Sequence, residues 1–286
     1  MVRRRPQGIG CADNMAMQLI ETHCHLNDEA FNGDRDAVIE KSFESGISKL
    51  VEIACGAKEW EPAEVLCSRY PAKIYACFGI HPGYSEELCP ENLATLEQYL
   101  KKSVSKGIGE IGFDYYRDSL KKEQQNILLE AMISLSNRLR LTSVFHARSG
   151  KDAKKDDAYA DLTALLKDKW NYAPKGKKFR GILHCFSGSY YDAGRALDMG
   201  LALGVNGTFT YKKNDELREI VKKTGLENIV FETDCPYLPP QSARGLRNAP
   251  AYIPEIAGAV AGFLGVTAGH AAEVTSANAM EIFGAL

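Results

Sequence analysis

The residues able to carry chemistry are few in type and regular in position. Five of the six histidines, His23, His25, His81, His146 and His184, stand at or just after short apolar runs, and Glu110 and Asp234 do the same. His23-Cys24-His25 has period two, so in an extended strand both imidazoles point to one face while Thr22 and Cys24 point to the other. Such a pair forms two arms of a metal claw, although H-x-H on its own also arises by chance. Glu110, in Gly109-Glu110-Ile111-Gly112, is a carboxylate among apolar strand residues, and its burial requires a partner, either a cation or a salt bridge to Arg148. His146 and His184 end the runs Ser143-Val144-Phe145 and Gly181-Ile182-Leu183. Each alone also reads as a hydrogen-bonded core histidine. Together, facing an H-x-H and two carboxylates, they favour N/O ligation of divalent ions. Asp234 completes the set, and Glu232 is expected one layer deeper, supporting a ligand. His270 lies outside it and reads as a packing or surface residue.

Four histidines and two carboxylates exceed what one tetrahedral ion with an open position needs, but suit two divalent ions (Mg, Mn or Zn) bridged by Glu110. Two ions about 3.5 to 4 Å apart lower the pKa of a shared water, hold a phosphoryl or carbonyl oxygen and stabilise a leaving oxygen, which together is hydrolysis. No P-loop and no G-x-S-x-G competes. Cysteine nucleophile chemistry is disfavoured, because Cys24, Cys185 and Cys235 each adjoin a ligand and by strand parity point away from the pocket.

Ligands so far apart in sequence need a scaffold that converges them. Short β-branched runs alternate with stretches of helical period, the pattern of βα units and a parallel sheet. Strands are expected at Leu19 to His23, Leu50 to Ala54, Ile74 to Gly79, Gly107 to Gly112, Thr142 to His146, Gly181 to Cys185, Ala202 to Val205 and Ile229 to Glu232. Helices are expected near Asp34 to Ser45, stopped by Gly46, and Asp215 to Thr224, stopped by Gly225. The spacing of about 30 residues per unit is that of a βα repeat. The expected architecture is therefore a single (β/α)8 TIM barrel over residues 18–286, closed by a helical region from Ile253 to Phe283, with residues 1–17 a flexible extension. The mixed-charge run after Ser149 reads as solvated surface ahead of another helix.

The chain has 286 residues with 45% hydrophobic and 25% charged, enough for a large core. Its 35 Lys+Arg against 37 Asp+Glu give no global positive field, so any polyanion must be gripped by a local patch. Eight cysteines without C-x-x-C, no signal-peptide pattern and no run approaching about 20 apolar residues point to a soluble protein of the cytoplasm or nucleus with reduced thiols, no membrane contact and no obligate protein partner.

The motifs carry a resemblance. Glu21-Thr22-His23-Cys24-His25-Leu26, Gly79-Ile80-His81-Pro82, Gly109-Glu110-Ile111-Gly112-Phe113-Asp114-Tyr115-Tyr116, His146-Ala147-Arg148, His184-Cys185-Phe186-Ser187-Gly188 and Glu232-Thr233-Asp234-Cys235-Pro236-Tyr237-Leu238 resemble, in order and spacing, the TatD family of metal-dependent deoxyribonucleases, from about Leu19 to Phe283. The resemblance implies a barrel of the metal-dependent hydrolase type, exonuclease action on DNA, and His23, His25, Glu110, His146, His184 and Asp234 as metal ligands. The chain departs from the family at Glu21, at Gly83 and at Asn248-Ala249-Pro250; none of these positions is a ligand.

The leading expectation is thus a DNA phosphodiesterase acting on single strands or 3′ ends, in which a hydroxide bridging two metals attacks in line and Asp234 and Glu110 are the catalytic residues. His81, Arg148 and Arg247 are expected to contact substrate. Arg117, Lys151, Lys212, Lys213 and Arg244 are further strand-end cations for phosphates, and Tyr115, Tyr116, Tyr211 and Tyr237 are candidates for stacking on bases. The alternative is an ester or amide hydrolase of the wider amidohydrolase superfamily acting on a small molecule; Glu110 argues against it, since many of those relatives carry a modified lysine at the bridging position. A catalytically dead scaffold is disfavoured, because every ligand position is filled.

Overall fold

Each expected apolar run is a strand in the computed structural model of the chain, which describes residues 18–118, 121–284 and 286. The expected flexible extension, residues 1–17, lies outside the described residues. The strands are β1 (Leu19–Cys24), β2 (Ile47–Ala54), β3 (Ile74–Phe78), β4 (Ser105–Asp114), β5 (Ser143–Arg148), β6 (Gly181–Leu183), β7 (Leu201–Val205) and β8 (Ile229–Phe231). All pair in parallel, in sequence order. The last strand returns to the first: the Asp234 N–H donates to the His23 carbonyl and the His25 N–H to that of Cys235, both at 3.0 Å, and the Thr22 hydroxyl donates to the Phe231 carbonyl at 3.0 Å. With helices between strands, the chain is a (β/α)8 TIM barrel.

Differences from expectation fall at strand ends. β4 runs to Asp114, two residues further than expected, whereas β6 and β8 stop at Leu183 and Phe231. His184, Glu232 and Asp234 therefore stand on the loops just beyond their strands. The string Gly107-Ile108-Gly109-Glu110-Ile111-Gly112 also has the G-x-G-x-x-G spacing of a dinucleotide fingerprint, but it lies wholly inside β4 and opens no helix.

The helices are α1 (Arg35–Glu44), α2 (Ala57–Arg69), α3 (Pro90–Leu100), α4 (Tyr115–Asp118), α5 (Lys122–Leu139), α6 (Ala158–Lys169), α7 (Tyr190–Asp198), α8 (Asp215–Thr224), α9 (Ile253–Leu264) and α10 (Ala268–Phe283). In α8, Leu217, Ile220, Val221 and Thr224 recur at helical spacing and are the buried face. The closing helical region is two helices rather than one, because Gly265 adopts the left-handed conformation after α9 and the Thr267 side chain then caps α10. Lys151, Lys154 and Lys155 are exposed, as expected of the charged run before α6.

Alternating strand residues feed two apolar regions. Val51, Cys77, Val144, Ile182, Ala202 and Val230 fill the barrel interior, joined by Ile282 and Phe283 of α10. Phe78, Phe145, Trp60, Leu96 and Trp170 pack between strands and helices. Each large side chain so buried contributes about 1.5–3 kcal/mol. The interior below is thereby dry and filled, and the polar residues collect at the C-terminal mouth. Among the described residues no single helix is long and apolar enough to cross a membrane.

Candidate metal centre

The six expected ligands meet at that mouth. From β1, the Nε2 atoms of His23 and His25 are 3.2 Å apart and lie 3.7 and 3.3 Å from Asp234 Oδ1. From β5 and the end of β6, His146 Nδ1 and His184 Nε2 are also 3.2 Å apart and lie 2.5 and 2.7 Å from Glu110 Oε1. Glu110 joins the two halves, its other oxygen 3.5 Å from His23 Nε2. The alternative salt bridge to Arg148 is not formed; that guanidinium lies over the Tyr116 ring, 4.0 Å from its centroid.

Glu110 is 4% exposed and His23 fully buried, and among the described residues no Lys or Arg pairs with Glu110 or Asp234. Burial penalises charge on all these groups. The carboxylates nonetheless outweigh it at three histidines: Glu110 holds His184 well above the ordinary imidazole range and His146 above it, and Asp234 and Cys55 hold His25 well above it. Reciprocally, against burial, His184 and His146 hold Glu110 well below the carboxylate range, and His25 holds Asp234 below it. His23 shifts down, through burial and the stacked His184 ring 3.8 Å away. The buried Glu110 and the largely buried Asp234 thus draw positive charge from the ring itself. Imidazole nitrogens and carboxylate oxygens aimed inward are the donor set that divalent cations take, so the residues fit the metal ions the fold implies.

Neighbouring residues hold the ligands in place. Glu232, buried behind His184, accepts the Cys185 N–H at 2.5 Å and lies 3.7 Å from His184 Nδ1, the supporting position expected for it. Gly204 makes room for it, since a Cβ there would overlap the Glu232 carboxylate. Glu21 is no ligand: its Oε1 accepts the N–H groups of His23 and Thr233, tying β1 to the Asp234 loop. Asn248 Nδ2 donates to the Thr233 and Tyr237 carbonyls on that same loop.

Two residues without an expected role join the site. Asp114 Oδ2 lies 3.5 Å from His146 Nε2, while its Oδ1 accepts the N–H groups of Tyr116 and Arg117. Cys55, immediately after β2, brings Sγ to 3.7 Å from Glu110 Oε2. Their signal was position alone, at strand ends level with the expected ligands. The parity argument holds for Cys24 and Cys235, which are buried away from the cavity, but not for Cys185. β6 ends before Cys185, whose left-handed backbone (φ 48) sets it against the cavity.

His81 accepts the Gly83 N–H on Nδ1 at 2.9 Å, which leaves the proton on Nε2, 3.8 Å from Glu110 Oε1. Burial pushes its pKa down to about 3, so it is a neutral N–H donor beside the ligands. Arg117 and Arg148 border the cavity of about 750 Å³, as do Asp28, Glu29, Glu52, Glu59 and Tyr237. Arg247 does not: it forms a two-pronged ion pair with Asp34 at 2.6 and 2.9 Å. Tyr115, a candidate for base stacking, is buried, and its hydroxyl donates to Asp161 at 2.9 Å, because the turn into α4 directs it inward; Tyr116 and Tyr237 are about half exposed.

Comparison with known proteins gives the same answer as the geometry. The model of the family described as TatD related DNase matches residues 20–284. YabD of Bacillus subtilis, called an uncharacterized metal-dependent hydrolase, is 30% identical over 93% of this chain and 98% of its own. The 3′-5′ ssDNA/RNA exonuclease TatD of Erwinia tasmaniensis is 30% identical over 91% of this chain and 97% of its own. The crystal structure of the TatD homologue YjjV from Escherichia coli superposes with a TM-score of 0.83 at 27% identity, covering 94% of this chain and 99% of that one. A barrel carrying this histidine and carboxylate ring, matched over nearly its whole length, belongs to the TatD family of metal-dependent hydrolases.

Proposed function

We propose that the protein is a deoxyribonuclease of exonuclease type that hydrolyses phosphodiester bonds in single-stranded DNA, using two divalent ions held by His23, His25, Glu110, His146, His184 and Asp234. The observation that carries the reading is the ring itself: one buried and one largely buried carboxylate, which no Lys or Arg pairs with among the described residues, faced by four histidines. Such ions, when bound, supply the positive charge that acidifies a water and offsets charge on phosphoryl oxygens.

The chain's own residues supply the rest. Asp234, unlike Glu110, has part of its side chain open to solvent (14% exposed) and a pKa held low, so it is ionised and placed to take the proton of an attacking water. Glu110 is the shared ligand between the two halves and fixes their spacing. His81, neutral with its proton on Nε2, offers a hydrogen bond to a phosphate oxygen without adding charge. The cavity carries more acidic than basic side chains, so an anionic substrate enters only where cations hold it, with Arg117 and Arg148 at the border receiving the flanking phosphates. Exposed Tyr116, beneath Arg148, and Tyr237 give flat faces for unpaired bases. The name of the Erwinia relative, a single-stranded DNA and RNA exonuclease, supports this substrate class.

The test is hydrolysis by protein reconstituted with Mg²⁺, Mn²⁺ or Zn²⁺ in turn, offered single-stranded DNA, RNA and a small carboxylic ester. Metal-dependent, progressive loss of nucleotides from DNA is expected. Efficient turnover of the ester with DNA left intact would replace this reading by carbonyl hydrolysis.

A further inference from the structure

β2 is the strand between those bearing the H-x-H and the His-Pro, and none of the six ligands comes from it. At its C-terminal end stands Cys55. Its backbone is pinned on both sides: its N–H donates to Glu59 Oε2 at 2.7 Å, and its carbonyl accepts the His81 N–H at 2.9 Å. The side chain is 7% exposed and borders the catalytic cavity. Its Sγ lies 3.7 Å from Glu110 Oε2, and the ligand atoms of His25, Cys55 and Glu110 all lie within 4.8 Å of one another.

We propose that Cys55 is a thiolate ligand on the His25 side of the metal centre, giving that half of the site a preference for thiophilic divalent ions (Zn²⁺, Co²⁺, Cd²⁺) over Mg²⁺ and Mn²⁺. The proposal rests on the reading of the histidine and carboxylate ring as a metal centre. Sulfur and oxygen ligands of one tetrahedral zinc ion, at the usual bond lengths of about 2.3 and 2.0 Å, stand about 3.5 Å apart, close to the separation found here. A thiol serving only as a hydrogen-bond donor needs one acceptor, whereas this sulfur is within ligand-sharing reach of a carboxylate and an imidazole together. The other cavity cysteine, Cys185, differs: its sulfur accepts a hydrogen bond from Asn206 Nδ2 at 3.1 Å. On coordination the S–H bond breaks, sulfur keeps the electron pair and the proton leaves to solvent. Thiolate is the softest donor the ring contains, and softness is what separates zinc-like ions from magnesium and manganese.

The test is the absorption spectrum of the full-length chain loaded with Co²⁺, which shows visible bands from the ion in any N/O site and a near-ultraviolet charge-transfer band only with a sulfur ligand. Both are expected in the wild type. Cys55→Ser should lose the ultraviolet band and keep the visible ones, and Cys185→Ser should keep both. In competition titrations, Cys55→Ser should bind Cd²⁺ at least about tenfold more weakly and Mn²⁺ within about threefold of wild type. Visible bands without the charge-transfer band in the wild type would overturn the thiolate while leaving the metal centre standing, as would a band that survives Cys55→Ser. Failure to bind Co²⁺ at all would remove the metal centre and the thiolate together. If Cys55→Ser does not fold, a wild-type band retained in Cys185→Ser assigns the sulfur to Cys55, the other thiol that lines the cavity among the described residues.

Discussion

Asp234→Asn removes one negative charge from the ring at almost constant volume, and the structure makes it a clean perturbation. Asp234 has φ 59, in the left-handed region that Asn enters readily and Ala does not, so Asn adds no backbone strain. The hydrogen bonds that hold the loop, from Asp234 N–H to the His23 carbonyl and from Tyr237 N–H to the Asp234 carbonyl, involve main-chain atoms only and survive. The fold should therefore persist, with a cooperative unfolding transition retained. The charge is a different matter. Asp234 Oδ1 is 3.3 Å from His25 Nε2 and 3.7 Å from His23 Nε2. A unit positive charge about 3.5 Å away is worth about 5 kcal/mol at an effective dielectric of about 20, before desolvation takes back its share. Loss of a positioned proton acceptor separately costs about 10²- to 10⁴-fold. The expected fall in kcat is on the order of 10³-fold, about 4 kcal/mol, in steady-state cleavage of single-stranded DNA at saturating metal. Glu232→Gln keeps an oxygen for the Cys185 N–H and should cost less, about 10- to 100-fold. A kcat for Asp234→Asn within about threefold of wild type, with metal saturating, would show that Asp234 neither holds the ions nor takes the proton.

Without metal, stability should decline as pH climbs above about 6.5. The pKa values of His25, His146 and His184 are raised on folding, so their contribution is complete below about 6.5 and drains away as pH climbs through the folded values; Glu52, which burial pushes up to about 7, adds a loss in the same direction. Thermal melts from about pH 6.5 to 9 with chelator should show that decline, and bound metal should abolish it, while a metal-free Tm that rises steadily to pH 9 contradicts the assignment. Gly204→Ala drives a Cβ into the Glu232 carboxylate and should cost about 1–3 kcal/mol in denaturant unfolding together with weaker metal binding; no change in either means that Glu232 does not support His184. Arg148→Ala should raise KM for DNA and flatten its salt dependence by about one unit of slope, whereas Arg247→Ala, already paired with Asp34, should do neither to the same degree. Equal effects of the two substitutions would mean that the Asp34 pair opens to receive substrate.

The barrel was readable because period-two apolar runs and helical stretches alternate with few interruptions, and because Gly46 and Gly225 mark helix ends that the chain obeys. The six candidate ligands stood out because their residue types are costly to bury and recur on β1, β4 and β5 and just after β6 and β8. What lay beyond the sequence was three-dimensional. The strand ends before His184 and Asp234 bend out of alternation, so parity misplaced Cys185. Asp114 and Cys55 gave no spacing signal; only closure of the barrel brings them to His146 and Glu110, from β4 and from the end of β2. Arg247 follows a strand yet is turned to Asp34, a choice between two surface partners that local pattern does not encode. The split between α9 and α10 was written in Gly265 and Thr267, but the surrounding apolar residues mask it.

The most direct measurement is the metal content of the full-length protein after reconstitution with Zn²⁺ or Mn²⁺ and removal of excess, read by elemental analysis against protein concentration. The expected result is about two equivalents per chain, falling below one in Glu110→Gln, whose carboxylate faces both halves of the ring. A consistent maximum of one equivalent would contradict the two-ion centre, and no binding above background would contradict the reading of the ring as a metal site altogether.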